Sequence, residues 1–121
     1  MSSGILFDSS AWIELLSAGP LEKNCRAIFS KATEVIVPTV VQYEVYRKTL
    51  VTVSEDRALS AVALLNQQTV LPMTTEVALL AADLSIQHKL GMADSLVLAH
   101  SQIAKATLVT LDNDFSSIAG V

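Results

Sequence analysis

Ile5-Leu6-Phe7-Asp8-Ser9-Ser10 is an apolar run of three that stops at an aspartate followed by two hydroxyl residues. A short continuous apolar segment reads as a buried strand. Ser9 or Ser10 can then cap a helix through Leu16, which Gly19-Pro20 closes. Asp8 therefore falls at the carboxyl end of a strand, where open α/β sheets build their sites. The pattern returns near the other end of the chain: Thr107 to Thr110 reads as a strand, and Asp112-Asn113-Asp114 follows it as the opening of a short turn.

Between these two stretches, strands and helices alternate. A helix spans Leu21 to Lys31, and the β-branched run Val35-Ile36-Val37 ends at Pro38. Thr39 with Gln42 three residues later is a capping-box signature for a helix toward Leu50, with Glu44 in its second turn. Ser54 caps a helix through about Asn66 that sets Ala58, Val62 and Leu65 on one face, and Thr69-Val70-Leu71 is a brief strand stopped by Pro72. Thr74 or Thr75 starts an apolar helix with Val77, Leu80, Ala81 and Leu84 at helical spacing, ending near Leu90 with Gly91 as its C-terminal cap. Asp94 sits in the first turn of the next helix, which carries Leu96, Val97, Ala99 and Ile103. Such alternation predicts an α/β fold, a three-layer α/β/α sandwich around a mainly parallel sheet.

With 121 residues, 51% of them hydrophobic, the chain is sized for one domain over residues 1–121 that needs neither disulfide nor structural metal. Cys25 is the sole cysteine and reads as a core or helix-face thiol in a reduced compartment. No run approaches the ~18 apolar residues of a membrane span, so a cytoplasmic protein without a membrane partner is expected. The net charge of −4 gives no basic platform for a polyanion, although setting aside Asp8, Glu44, Asp94 and Asp112 leaves eight acidic against eight basic residues. Six aromatic residues offer little for base stacking.

Each of those four acids has an ordinary structural explanation. Asp8 can cap the first helix. Glu44 precedes Lys48 by four residues, the spacing of a solvated ion pair. Asp94 is where a helix dipole favours an acid, and Asp112 can be an N-cap beside Asp114. Their shared position at strand and helix ends is the stronger signal. Carboxylates packed together repel by roughly 4 kcal/mol at about 4 Å and an effective dielectric near 20, which a cation relieves. All-oxygen donors suit Mg²⁺ or Mn²⁺, and the matching chemistry is metal-assisted phosphodiester cleavage.

Leu6-Phe7-Asp8-Ser9-Ser10, Val37-Pro38-Thr39 with Glu44, Ala93-Asp94-Ser95, and Leu108 through Phe115 together resemble the PIN domain over nearly the whole chain. Among its members the small size is similar to the VapC toxins of type II toxin-antitoxin pairs. The resemblance implies a PIN-like sheet of four or five strands and a Mg²⁺- or Mn²⁺-dependent endoribonuclease that cuts single-stranded regions of structured RNA, such as tRNA or rRNA. It assigns Asp8, Glu44, Asp94 and Asp112 to the acidic cluster. Asp8 and Asp94 would be direct ligands, Glu44 a ligand or a base acting through water, and Asp112 a direct or water-mediated ligand. Ser9 and Thr110 would be hydroxyls orienting carboxylates or water. Asp114, two residues on, is the alternative to Asp112 for the fourth acidic role, or shares it, with Asp112 the better fit to the pattern, and a fifth strand after Asp112 is short or missing.

Arg47, Lys48, Lys89 and Lys105 flank Glu44 and Asp94 in sequence and are the candidates for RNA phosphate contacts, with ordinary solvation as their other reading. His88 reads as a solvated residue or a helix C-terminal dipole partner rather than a general acid. The resemblance further implies a separate antitoxin protein and a homodimer, for which Val40, Val41 and Tyr46 are contacts if they are not core. Two other function classes stand beside this one: a catalytically inert PIN scaffold that binds protein, and a metal-dependent phosphatase or DNA nuclease. Assays on RNA, DNA and a phosphomonoester separate them.

Overall fold

The computed structural model describes residues 4–112 and Phe115. The elements run β1 (Ile5–Phe7), α1 (Ser9–Leu16), α2 (Glu22–Lys31), β2 (Val35–Pro38), α3 (Thr39–Thr52), α4 (Glu55–Asn66), β3 (Thr69–Leu71), α5 (Thr75–His88), α6 (Met92–Ala104) and β4 (Thr107–Val109). The strands form one sheet in the order β3-β2-β1-β4, and every pairing is parallel. Ile5 pairs with Val35 on one side and with Thr107 on the other, which makes β1 an inner strand.

This order follows from the sequence in steps. Every residue of β1 and β2 is buried, as their uninterrupted apolar composition requires of strands covered on both faces. The sheet grows in one direction from β1 through β2 to β3 and then crosses back to place β4 beside β1. Right-handed crossovers put α1 to α4 on one face and α5 with α6 on the other. The helices pack accordingly: α1 meets α2 and α3, α3 meets α4, and α5 meets α6, with a further contact between α3 and α6.

The core joins Leu6, Phe7, Val37, Val41, Val45, Leu65, Leu98 and Phe115, all fully or almost fully buried. Trp12 stands edge-on to both Phe7 and Phe29, at centroid distances of 5.4 and 5.7 Å. Its indole Nε1 has no hydrogen-bond partner among the described residues. Cys25 is a buried core thiol, and burial pushes its pKa up. Among the described residues no helix is long and apolar enough to cross a membrane.

Several local expectations are corrected. Pro38, whose ring fixes φ near −65°, is the extended residue before α3 and gives it no side-chain cap. Thr39 is already helical, and Gln42 hydrogen-bonds Asn66 of α4 at 2.6 Å instead of closing a capping box. Helix α5 ends not on Gly91 but on Lys89, which takes the left-handed conformation at φ 57°, while Gly91 is extended and begins α6. In α4 the buried face is Ala58, Ala61 and Leu65, with Val62 at its margin. Val41 is core and so is not a dimer contact, whereas Val40, packed against the core, and Tyr46 are each only half-buried. Asp114 and the region expected to hold a fifth strand lie outside the described residues.

Candidate active site

Asp8 follows the last residue of β1 and is the N-cap of α1, with only 5% of its surface exposed. A carboxylate this buried requires hydrogen bonds. Oδ1 accepts from the Ser10 hydroxyl at 2.6 Å and from the Ala11 main-chain N–H at 3.0 Å, and Oδ2 accepts from the Thr110 hydroxyl. The capping explanation is therefore correct for Asp8, yet it accounts for only one of three donors. The other two are hydroxyls, and one of them comes from the far end of the chain.

The segment after β4 is built onto the same carboxylate. The β1–β4 ladder carries on one step past the strands, with Asp8 N–H donating to the Val109 carbonyl at 3.1 Å. The Leu111 N–H then donates to Ser10 Oγ at 3.0 Å, and the Asp112 N–H to Thr110 Oγ1 at 2.9 Å. The main chain of Asp112 is thereby held close to Asp8. This is the topological switch of the sheet, where the connection from β1 leaves to one side and β4 arrives on the other.

Glu44 lies in the second turn of α3, which starts from the carboxyl end of β2. Its half-buried carboxyl accepts from the Ser9 hydroxyl and feels the charge of Asp8. Burial pushes its pKa up most; the Ser9 hydrogen bond opposes this, and the Asp8 charge adds to it. Among the described residues no ion pair links Glu44 to Lys48; its neighbours are Ser9 and Asp8 instead. Ser9 and Ser10, adjacent in sequence, thus serve different carboxylates.

Asp94 is half-buried in the first turn of α6. Only Lys105 and Ala106 separate α6 from β4, so α6 ends at the amino edge of the sheet and begins toward the edge that carries Asp8. Among the described residues no group of three or more His, Cys, Asp or Glu side chains is gathered as a metal site. The structure brings Asp8 and Glu44 together, ties Asp112 to them through its main chain, and sets Asp94 on a helix that touches α3. The like-charged, half-desolvated pair Asp8–Glu44 is all oxygen in its donor set, which fits a hard divalent cation.

The basic residues divide. Arg47, Lys48 and Lys89 are exposed, with Lys89 in the turn that leads into α6. Lys48 also lines a pocket of about 240 Å³ between α1, α3 and α4, together with Arg57, Leu16 and Val53. Lys105 is misplaced as a neighbour of Asp94. It follows α6 at the amino edge of the sheet, where Thr107 N–H meets the Gly4 carbonyl, a helix length of about 15 Å from Asp94 at ~1.5 Å per residue. In the sequence Ser10 reads only as a cap. Its position two residues after Asp8 is the one local sign of its role.

The family model of the PIN domain matches residues 5–121. The chain belongs to the PIN-domain family. Solved structures with the same PIN fold include the Mycobacterium tuberculosis toxin VapC20, described as cleaving the sarcin-ricin loop, at a TM-score of 0.84 and 21% identity over 97% of this chain and 96% of that one. A toxin-antitoxin complex from Klebsiella pneumoniae aligns at a TM-score of 0.79 and 24% identity over 97% and 94%. DNA-bound VapBC from Salmonella typhimurium aligns at 0.77 and 15% over 100% and 96%. No curated protein sequence matches the chain directly. The four-stranded parallel sheet and six helices described above are thus the PIN arrangement of VapC structures.

Proposed function

We propose that this PIN-domain protein is a metal-dependent endoribonuclease, the toxin of a toxin-antitoxin pair, acting on single-stranded regions of structured RNA such as tRNA or rRNA. The observation that carries the reading is the Asp8–Glu44 pair at the switch point of the sheet, where two carboxyl groups share a partly desolvated place and the carboxyl of Glu44 is raised by burial and by Asp8. Asp8, Asp94 and Asp112 would hold Mg²⁺ or Mn²⁺, with Glu44 as a further ligand or as a base through water. When bound, such an ion neutralises the carboxylates and polarises a phosphate oxygen. Ser9 keeps the Glu44 carboxyl oriented, and Thr110 does the same for Asp8.

Family membership and the toxin structures support the biological side of the reading. A separate antitoxin would neutralise the enzyme, and a homodimer would be the working form. With an RNA target in the cell the protein would act in the cytoplasm. The test is incubation with total RNA in Mg²⁺ or Mn²⁺, with and without EDTA, beside Asp94→Asn and beside DNA and phosphomonoester substrates. Discrete metal-dependent RNA cuts that are absent with the variant support the reading. Cleavage of none of the three points to a binding scaffold, and turnover of the phosphomonoester alone to a phosphatase.

A further inference from the structure

We propose that Ser10 is a positioning residue: with Thr110 it forms a two-hydroxyl clasp through which the Asp8 carboxylate fixes the segment Thr110 to Asp112, and Ser10 does so through the Leu111 N–H. The direction of each hydrogen bond is forced. An ionised carboxylate only accepts, so each hydroxyl must spend its single proton on Asp8 and can only accept from elsewhere. Ser10 gives its proton to Oδ1 and accepts from Leu111, and Thr110 gives its proton to Oδ2 and accepts from Asp112. Two successive main-chain N–H groups are thus relayed onto the two oxygens of one buried carboxylate.

Both relays end on a charge, so each bond is strengthened by the one beyond it. They begin where the strand pairing stops, since the β1–β4 register ends at Phe7 opposite Val109. The clasp replaces the missing ladder and sets the place from which the side chain of Asp112 starts. Its bearing on catalysis rests on the nuclease reading above, whereas the clasp itself is testable without any cleavage.

The measurement is amide hydrogen exchange by NMR on the intact protein, with a Mg²⁺ titration followed by calorimetry, for wild type, Ser10→Ala and Ser10→Thr. Position 10 lies in the first turn of α1, where alanine is a good helix former and the Asp8 cap to Ala11 persists, so Ser10→Ala keeps its fold. Leu111 exchange rises several-fold, up to about tenfold, in Ser10→Ala, as loss of one net hydrogen bond requires, while Val109 is unchanged. Mg²⁺ affinity falls about 10-fold to 100-fold, the usual effect of removing a residue that orients a ligand. Ser10→Thr restores both. Unchanged Leu111 exchange in Ser10→Ala, or equal loss of protection in Ser10→Thr, overturns the proposal. Failure of the wild type to cut RNA with the exchange pattern intact would instead overturn the nuclease reading and leave the clasp standing.

Discussion

The Thr110 hydroxyl donates to Oδ2 of Asp8 across 102 residues of sequence, and the same hydroxyl accepts the Asp112 N–H at 2.9 Å. One side chain therefore joins the first strand's carboxylate to the residue that follows the last strand. Thr110→Val keeps the shape and removes both bonds, leaving a buried carboxylate short of a donor. Loss of about 1–3 kcal/mol of stability is expected, read from urea unfolding, with Thr110→Ser recovering most of it. A wild-type midpoint in Thr110→Val would show that the bond contributes nothing.

Removing single charges separates chemistry from folding. Asn is as good an N-cap as Asp, so Asp8→Asn folds, and so does Asp94→Asn. Both abolish metal-dependent RNA cleavage. Glu44→Gln also abolishes it, but in EDTA this variant unfolds at higher urea than wild type, because the native state no longer holds a half-buried charge beside Asp8. Circular dichroism and cleavage measured side by side give the answer, and full cleavage by Asp8→Asn would remove the proposed site.

His100 supplies a pH dependence whose sign is fixed. It is buried in α6, and burial lowers its pKa below the ordinary 6.5. The folded protein therefore binds fewer protons than the unfolded chain in the window below 6.5, and stability rises with pH there. The contribution is fully present above pH 6.5 and is lost as the pH falls toward the lowered folded value. His100→Gln flattens this part of the curve in urea titrations. An identical slope in the variant would assign the acid loss to other groups.

The end of α5 carries a strain that one substitution relieves. Lys89 is left-handed at φ 57°, a conformation that costs a residue with a Cβ roughly 1–2 kcal/mol. Lys89→Gly raises stability by about 0.5–1 kcal/mol once the extra freedom of glycine in the unfolded chain is counted. Thermal unfolding reads the change, and a lower midpoint would mean that the lysine side chain makes a compensating contact.

Strands β1 and β2 were legible as apolar runs beside a capping or breaking residue, as at Phe7-Asp8 and Val37-Pro38, and β3 and β4 as shorter apolar pairs led by a threonine. The place of Asp8 at a strand-to-helix junction was legible for the same reason. What escaped depends on distance in sequence. Nothing near Ser10 announces that it will receive the N–H of a residue 101 positions away. Lys105 looked close to Asp94 in number, but helix α6 carries it to the opposite edge of the sheet. Gly91 was the natural place to stop α5, yet the stop falls two residues earlier, and the Leu90 N–H closes the turn on the Ser85 carbonyl at 3.2 Å. Glu44 had two local explanations, and neither foretold that it packs beside Ser9 and Asp8.

The inner position of β1, flanked by β2 and by the much later β4, sets a schedule for synthesis. Asp8 and Glu44 leave the ribosome well before β4 and the Thr110 hydroxyl, which complete the surroundings of Asp8. Contacts this distant in sequence are slow to form, and a nascent chain cannot form them at all. The surroundings of the Asp8 carboxylate thereby stay unassembled until β4 and Thr110 have been made, 102 residues after Asp8.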